Sequence, residues 1–147
     1  MKRKIAYVLA ALLLLAAPAL AQTLLEVQLA TAISLKLDQN VRLPKGSYRA
    51  LGPGVGRLIG KMRNVSGFGK WEAYVARGVA KRLRPAYVQQ VSAAFAQAGY
   101  LLESNRKFSV GNEVHQQYVF ENMEGRRAML YVIEAPDALI WLVGWSN

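Results

Sequence analysis

Four segments in the C-terminal half of the chain have a period of two and are separated by turn residues, and hydrophobic and polar residues alternate most cleanly in the second of these segments. They are Tyr100–Phe108, Val114–Glu121, Arg127–Glu134 and Leu139–Trp145. A period of two predicts β-strands, and the short connections force neighbouring strands to be antiparallel. In the last segment the residues of both parities are apolar, which indicates a strand that is central or covered on both sides. The pattern therefore predicts an antiparallel meander of about four strands.

Upstream of these segments the period changes to that of an α-helix. An apolar stripe at helical spacing predicts a helix over Trp71–Arg84, and its members are Trp71, Tyr74, Val75, Val79 and Leu83. A second helix is predicted over Ala86–Ala98, with Pro85 in its first turn and Gly99 at the position of a left-handed C-cap. Helices that cover one face of an antiparallel sheet give a two-layer α+β fold.

The segment before these helices has a weaker pattern. Leu24–Leu37 alternates and favours a strand, although its length and its alanines leave a helix open. Six of the 12 glycines lie between Leu51 and Lys70, which predicts a loop with one short helical turn near Val55–Met62. We therefore divide the chain into residues 1–21, a basic glycine-rich N-terminal arm at 22–69, and an α+β domain at 70–147.

The first 21 residues have the pattern of a secretory signal peptide. Three cations (Lys2, Arg3 and Lys4) precede an uncharged apolar run, and Ala19-Leu20-Ala21 provides a small-x-small cleavage site after Pro18. This pattern predicts export, to the periplasm or the extracellular space of a bacterial-type cell. The alternative is an uncleaved anchor in the inner membrane, because no charge occurs from Ile5 to Leu25.

The charge of the chain is concentrated in one block. The formal net charge is +10, and Lys36–Arg84 carries 12 Lys and Arg residues against only Asp38 and Glu72. On the predicted helix, four cations fall in a narrow sector opposite the apolar stripe: Lys70, Arg77, Lys81 and Arg84. Such a basic helix face predicts binding to an anionic partner, although a solvated helix face has the same composition.

Candidate chemistry is sparse. The chain has no Cys and one His, which argues against disulfides, thiol chemistry and the usual zinc sites. His115 has the parity opposite to Tyr118 and Phe120, so we expect it to face solvent. The glycine run Gly54–Gly60 departs from both nucleotide-binding fingerprints. We therefore expect no cofactor, no metal and no catalytic residues.

The sequence predicts an exported, non-catalytic binding or accessory protein. The expected partner is an anionic envelope polymer or a membrane surface, such as lipid head groups or lipopolysaccharide, and nucleic acid ranks behind these. The alternative is a protein–protein adaptor of the cell envelope, which docks through the aromatic strand Leu139–Trp145 or through an edge of the sheet. The chain carries no motif that identifies a family.

Overall fold

Within the described residues, seven β-strands form one sheet in which every neighbouring pair is antiparallel. The computed structural model describes residues 26–34 and 37–146, so the predicted signal peptide lies outside the described residues. In chain order the elements are β1 (Glu26–Leu29), β2 (Ser47–Leu51), α1 (Val55–Lys61), β3 (Phe68–Ala76), a 3₁₀ turn (Lys81–Leu83), α2 (Arg84–Gln97), β4 (Tyr100–Val110), β5 (Glu113–Asn122), β6 (Arg127–Ala135) and β7 (Ala138–Ser146). The strand order is β1-β2-β3-β7-β6-β5-β4.

The C-terminal meander predicted from the alternating pattern is confirmed. Strands β4 to β7 pair in succession, and the turns between them fall at the expected residues. Strand β7 is the middle strand of the sheet, and its run Leu139–Trp145 is buried except for Ile140, which is half-buried. A strand that is covered on both faces needs apolar residues at both parities, and this is why its alternation disappears.

The number of strands was underestimated, because the N-terminal segment also contributes to the sheet. Strand β1 pairs with β2, and β2 pairs with β3. Within the described part of Leu24–Leu37, the strand prediction is confirmed over Glu26–Leu29. The sheet thus continues across the boundary that we drew between residues 69 and 70.

The predicted helix over Trp71–Arg84 is wrong. Residues Phe68–Ala76 form β3, which lies between β2 and β7. Gly78 then adopts a positive φ of 71°, and Arg84 already belongs to α2. The apolar residues of β3 face covered surfaces on both sides of the sheet, so their spacing imitates a helical stripe.

The two helices of the structure lie on opposite faces of the sheet rather than on one face. Helix α2 buries Tyr87, Val91 and Phe95 with one parity of β6 and β7, and the second predicted helix is thereby confirmed. Helix α1 packs Leu58 against the other parity, which includes Tyr131. Each face of the sheet therefore has its own apolar core.

No helix within residues 26–34 and 37–146 is long and apolar enough to cross a membrane.

Candidate functional site

The four cations of the predicted basic face do not share a surface. Lys70 lies in the bulge of β3 and is exposed, whereas Arg77 directly follows the other end of that strand, with its guanidinium 5.7 Å from the centre of the Tyr48 ring. At about 3.3 Å per residue, a strand separates these two positions by roughly 20 Å. Lys81 is exposed in the 3₁₀ turn. The predicted basic helix face depended on a helix over Trp71–Arg84, and because this segment is not a helix the four cations do not form that face.

Arg84 is the member of that set with a clear structural partner. Its side chain is buried, and Nη1 donates to the carbonyl oxygen of Ala135 at 3.0 Å. The same nitrogen lies 3.5 Å from a carboxylate oxygen of Glu134. Arg84 therefore attaches the start of α2 to the β6–β7 turn, and its charge is largely compensated inside the protein.

The structure instead brings cations together around a cleft on the α2 side of the sheet. The cleft has a volume of about 490 Å³, and its lining residues are Leu37, Arg49, Lys70, Trp71, Glu72 and Arg126. Three of them are cationic and one is acidic, which leaves a formal charge of +2. Lys70 is the one predicted site residue in this set. The other two cations come from β2 and from the β5–β6 turn.

Strand pairing places Arg49 beside the single carboxylate. Arg49 of β2 is opposite Tyr74 of β3, so its side chain shares a face with Glu72. Arg49 Nη2 lies 3.3 Å from Glu72 Oε2. Ser34 Oγ donates to the same oxygen at 2.5 Å, and Tyr74 Oη donates to Oε1 at 2.8 Å. Glu72 is thus buried, and both of its carboxylate oxygens have hydrogen-bond partners. Its fixed carboxylate holds the Arg49 guanidinium in place.

The turn before β6 fixes Arg126. The Asn122 side chain accepts hydrogen bonds from the backbone N–H groups of Glu124 and Arg126, and Gly125 supplies the positive φ of 84° that the turn requires. The Arg126 guanidinium stacks 5.0 Å from the centre of the Trp145 ring and donates through Nη1 to the Leu37 carbonyl at 2.9 Å. Two contacts of different kinds therefore hold this cation at the cleft.

A neighbouring cleft continues the basic surface. Its volume is about 390 Å³; Arg49 belongs to both clefts, and Arg42 lines the second one together with uncharged residues. Arg42 and Arg49 belong to the basic block Lys36–Arg84 but not to the four cations of the predicted helix face. Arg126 was missed because it lies outside the basic block, and no sequence signal connects it to Arg49.

Polar groups on the opposite face of the sheet form a closed network around His115. His115 is fully buried, so the expectation that it faces solvent is wrong, although its parity was correct. The face that it shares is covered by α1 and the following residues. Tyr131 Oη lies 2.6 Å from His115 Nδ1, and Glu113 Oε1 lies 3.0 Å from Nε2.

The donors and acceptors of this network match one to one. Tyr131 Oη accepts the Arg63 N–H at 2.9 Å. If His115 carries its proton on Nε2, facing the Glu113 carboxylate, Nδ1 is an acceptor and the Tyr131 hydroxyl donates to it. His115 then donates from Nε2 to Glu113, whose other oxygen accepts from Lys61 Nζ at 2.5 Å. Burial alone would raise the pKa of Glu113, but the hydrogen bonds from Lys61 and His115 outweigh it and hold this pKa below its usual value. The network attaches α1 to the sheet.

Among the described residues, no group of three or more His, Asp or Glu side chains is arranged to hold a metal ion. Comparisons with protein-family models, with curated proteins and with solved structures give no match for this chain. The site is therefore defined by its own geometry, that of a cationic cleft on an α+β protein.

Proposed function

We propose that this chain is an exported, non-catalytic binding or accessory protein that engages an anionic component of the cell envelope through the cleft between Arg49, Lys70 and Arg126. The observation that carries the proposal is that cations from three separate segments line one cleft with a single carboxylate. That carboxylate is occupied by Ser34, Tyr74 and Arg49. The remaining positive charge is directed outward, toward a phosphate- or carboxylate-bearing partner.

The arginines give the cleft a preorganised character. Arg49 contacts the Glu72 carboxylate and Arg126 donates to the Leu37 carbonyl oxygen, so both side chains are held in place before a ligand binds. A planar guanidinium with free N–H groups suits the oxygens of a phosphate. Lys70 adds an exposed ammonium at the rim, where long-range attraction and salt screening are strongest.

Binding to vesicles tests the proposal. The chain without residues 1–21 is titrated with vesicles of phosphatidylglycerol and phosphatidylcholine, and with pure phosphatidylcholine, at ~50 and ~500 mM NaCl. We expect binding only to the anionic vesicles and weaker binding at high salt. Lys70→Gln and Arg126→Gln should each weaken it about fivefold, since a cation near an anionic surface contributes about 1 kcal/mol.

Arg82→Gln is the matched control, because Arg82 is exposed and lies outside the cleft. If Arg82→Gln weakens binding as much as the cleft variants do, the attraction is general and the cleft has no special role. Absence of binding at low salt, to vesicles and to lipopolysaccharide, would contradict the proposal. Preference for duplex DNA over vesicles would assign the cleft to nucleic acid instead.

Export is part of the proposal and rests on the N-terminal pattern. Expression of the full chain in a bacterial host, followed by N-terminal sequencing of the exported product, should find Gln22 as the first residue. A product that keeps Met1 and sediments with membranes would indicate the anchored alternative.

A protein–protein adaptor remains the second candidate, and one observation favours it. Strand β4 forms an edge of the sheet, and eight of its eleven residues are exposed. The aromatic strand Leu139–Trp145, the other docking surface expected from the sequence, is buried in the middle of the sheet.

A further inference from the structure

The outer side of β4 carries a surface that the anionic cleft does not use. Strand β4 is the last in the sheet order, and no described element pairs with its outer side. Eleven residues span about 37 Å in an extended strand. An exposed edge presents a row of backbone N–H and C=O groups that another extended chain can pair with.

A groove runs beside this edge on the α2 face. It encloses about 250 Å³ between the first half of α2 and strands β4 to β6. Its walls include Pro85 and Val88 from the helix, Lys107 from β4, and Val114, Gln116 and Tyr118 from β5. An added strand would send every second side chain toward this groove, and the groove offers apolar contacts on both walls.

The regular part of the edge is Ser104–Val110. A register shift between Leu102 and Ser104 marks a bulge at Glu103, whereas Ser104 to Val110 pair with β5 without interruption. A bulge bends the strand and interrupts its regular ladder, so the uninterrupted edge comprises these seven residues. Two adjacent cations, Arg106 and Lys107, lie at its centre and project to opposite faces.

These cations select the partner. In an antiparallel pair between two copies of the chain, a two-fold axis at Arg106 or Lys107 would place like charges directly opposite each other, which is destabilising. An axis at Asn105 would bring the bulge into the pairing, and an axis at Phe108 would pair only the five residues Arg106–Val110. A partner strand with two adjacent acidic residues would instead place a carboxylate opposite each cation.

We propose that β4 is the docking edge for an extended acidic peptide, which adds as an eighth strand along Ser104–Val110 and places alternate apolar side chains in the groove beside α2. The partner is a protein segment with a central pair of Glu or Asp residues flanked by β-formers. This surface is separate from the anionic cleft, so the two can be tested independently.

The test uses a fluorescein-labelled seven-residue peptide that alternates Val and Thr around a central Glu-Glu pair. Fluorescence anisotropy should show saturable binding to the chain without residues 1–21. The double variant Arg106→Glu/Lys107→Glu should weaken it about tenfold or more, because two favourable cross-strand pairs become unfavourable ones. A peptide with Lys-Lys in place of Glu-Glu should bind the double variant better than it binds the unchanged protein.

Hydrogen exchange provides the second measurement. Strand addition should protect alternate backbone amides within Ser104–Val110, since only every second residue directs its N–H outward. Equal binding of the peptide to the double variant, or unchanged exchange at saturation, would overturn the proposal. Loss of peptide binding in Arg126→Gln would assign the peptide to the cleft. A dimer in sedimentation, with these amides protected before peptide is added, would assign the edge to a second copy.

Discussion

Gly144 is the position where the structure makes its sharpest prediction about stability. It lies in the central strand β7, opposite the bulge at Lys70 and Trp71 of β3. A methyl group at Gly144 would lie 2.7 Å from Cδ2 and Cε3 of the Trp71 ring and 2.8 Å from Cζ3. Carbon atoms pack best at about 3.5–4.0 Å, so the indole would have to move by roughly 1 Å.

Gly144→Ala should therefore destabilise the protein. Overpacking of this kind costs about 1–3 kcal/mol, because neighbouring side chains leave their preferred rotamers. A domain of about 120 residues loses roughly 4 °C of melting temperature per kcal/mol, so the expected decrease is about 4–12 °C by thermal circular dichroism. Trp71 lies between Lys70 and Glu72, so vesicle binding should weaken as well.

A double-mutant cycle with Trp71→Ala identifies the cause. If the clash is with the indole, Gly144→Ala should cost little or nothing in the Trp71→Ala background, which corresponds to a coupling of about 1–3 kcal/mol. Gly60→Ala in α1 is the matched control, since a methyl group there meets no atom within 4 Å. It should stabilise the helix by about 0.5–1 kcal/mol. Additive effects of the two substitutions in the cycle would refute the reasoning.

Three further predictions concern the buried polar groups. Tyr131→Phe should cost about 1–3 kcal/mol in urea unfolding, because it removes the partner of His115 Nδ1 in a buried site; no loss would show that water replaces the hydroxyl. Since the pKa of Glu113 is held below its ordinary value of 4.5, its stabilising effect is present above pH 4.5 and is lost as the pH falls below it; Glu113→Gln and Lys61→Gln should flatten this part of the stability–pH curve, and an unchanged slope would contradict the assignment. Tyr87→Phe should cost about 1–3 kcal/mol in the same urea assay, since its buried hydroxyl contacts two other polar side chains, and a neutral effect would exclude that network from stability.

The alternating pattern was sufficient to predict the C-terminal half of the fold. In β5 the residues of one parity are buried from His115 to Val119, whereas Val114, Gln116 and Tyr118 are more exposed. The turns on both sides of this strand contain Gly or Asn, so local signals and tertiary structure agree there. Helix α2 has an apolar stripe, a proline in its first turn and Gly99 at a φ of 95°. These features act over a few residues, so they predict the helix without knowledge of the elements that pack against it.

Strand β3 could not be assigned in this way, because both of its faces are covered. Trp71, Ala73 and Val75 face the α1 core, and Tyr74 faces the α2 core. With apolar residues at both parities, a strand and a helix give the same pattern over nine residues. Gly78 was the local signal against a helix, since a residue with a positive φ ends a regular element.

The candidate cleft was beyond sequence reasoning because strand order determines it. Arg49 and Glu72 meet only when β2 pairs with β3. Arg126, which directly precedes β6, lies near them because only β7 separates β6 from β3. For His115, the alternating pattern predicted the correct face of the sheet but not that this face is covered. Alternation gives the face of a residue, whereas the cover on that face comes from a distant helix.

The formal charge of the basic block Lys36–Arg84 is larger than the positive charge available to attract an anionic partner. Arg84 is buried against Glu134 and a carbonyl oxygen, and Lys61 is paired with Glu113, so neither adds much to the outward field. Cations with internal partners are already compensated, and an approaching anion gains from them only if it displaces those partners. The affinity should therefore follow the few cations around the cleft rather than the sum over Lys36–Arg84. Arg126, which lies outside that block, should matter more than most residues within it.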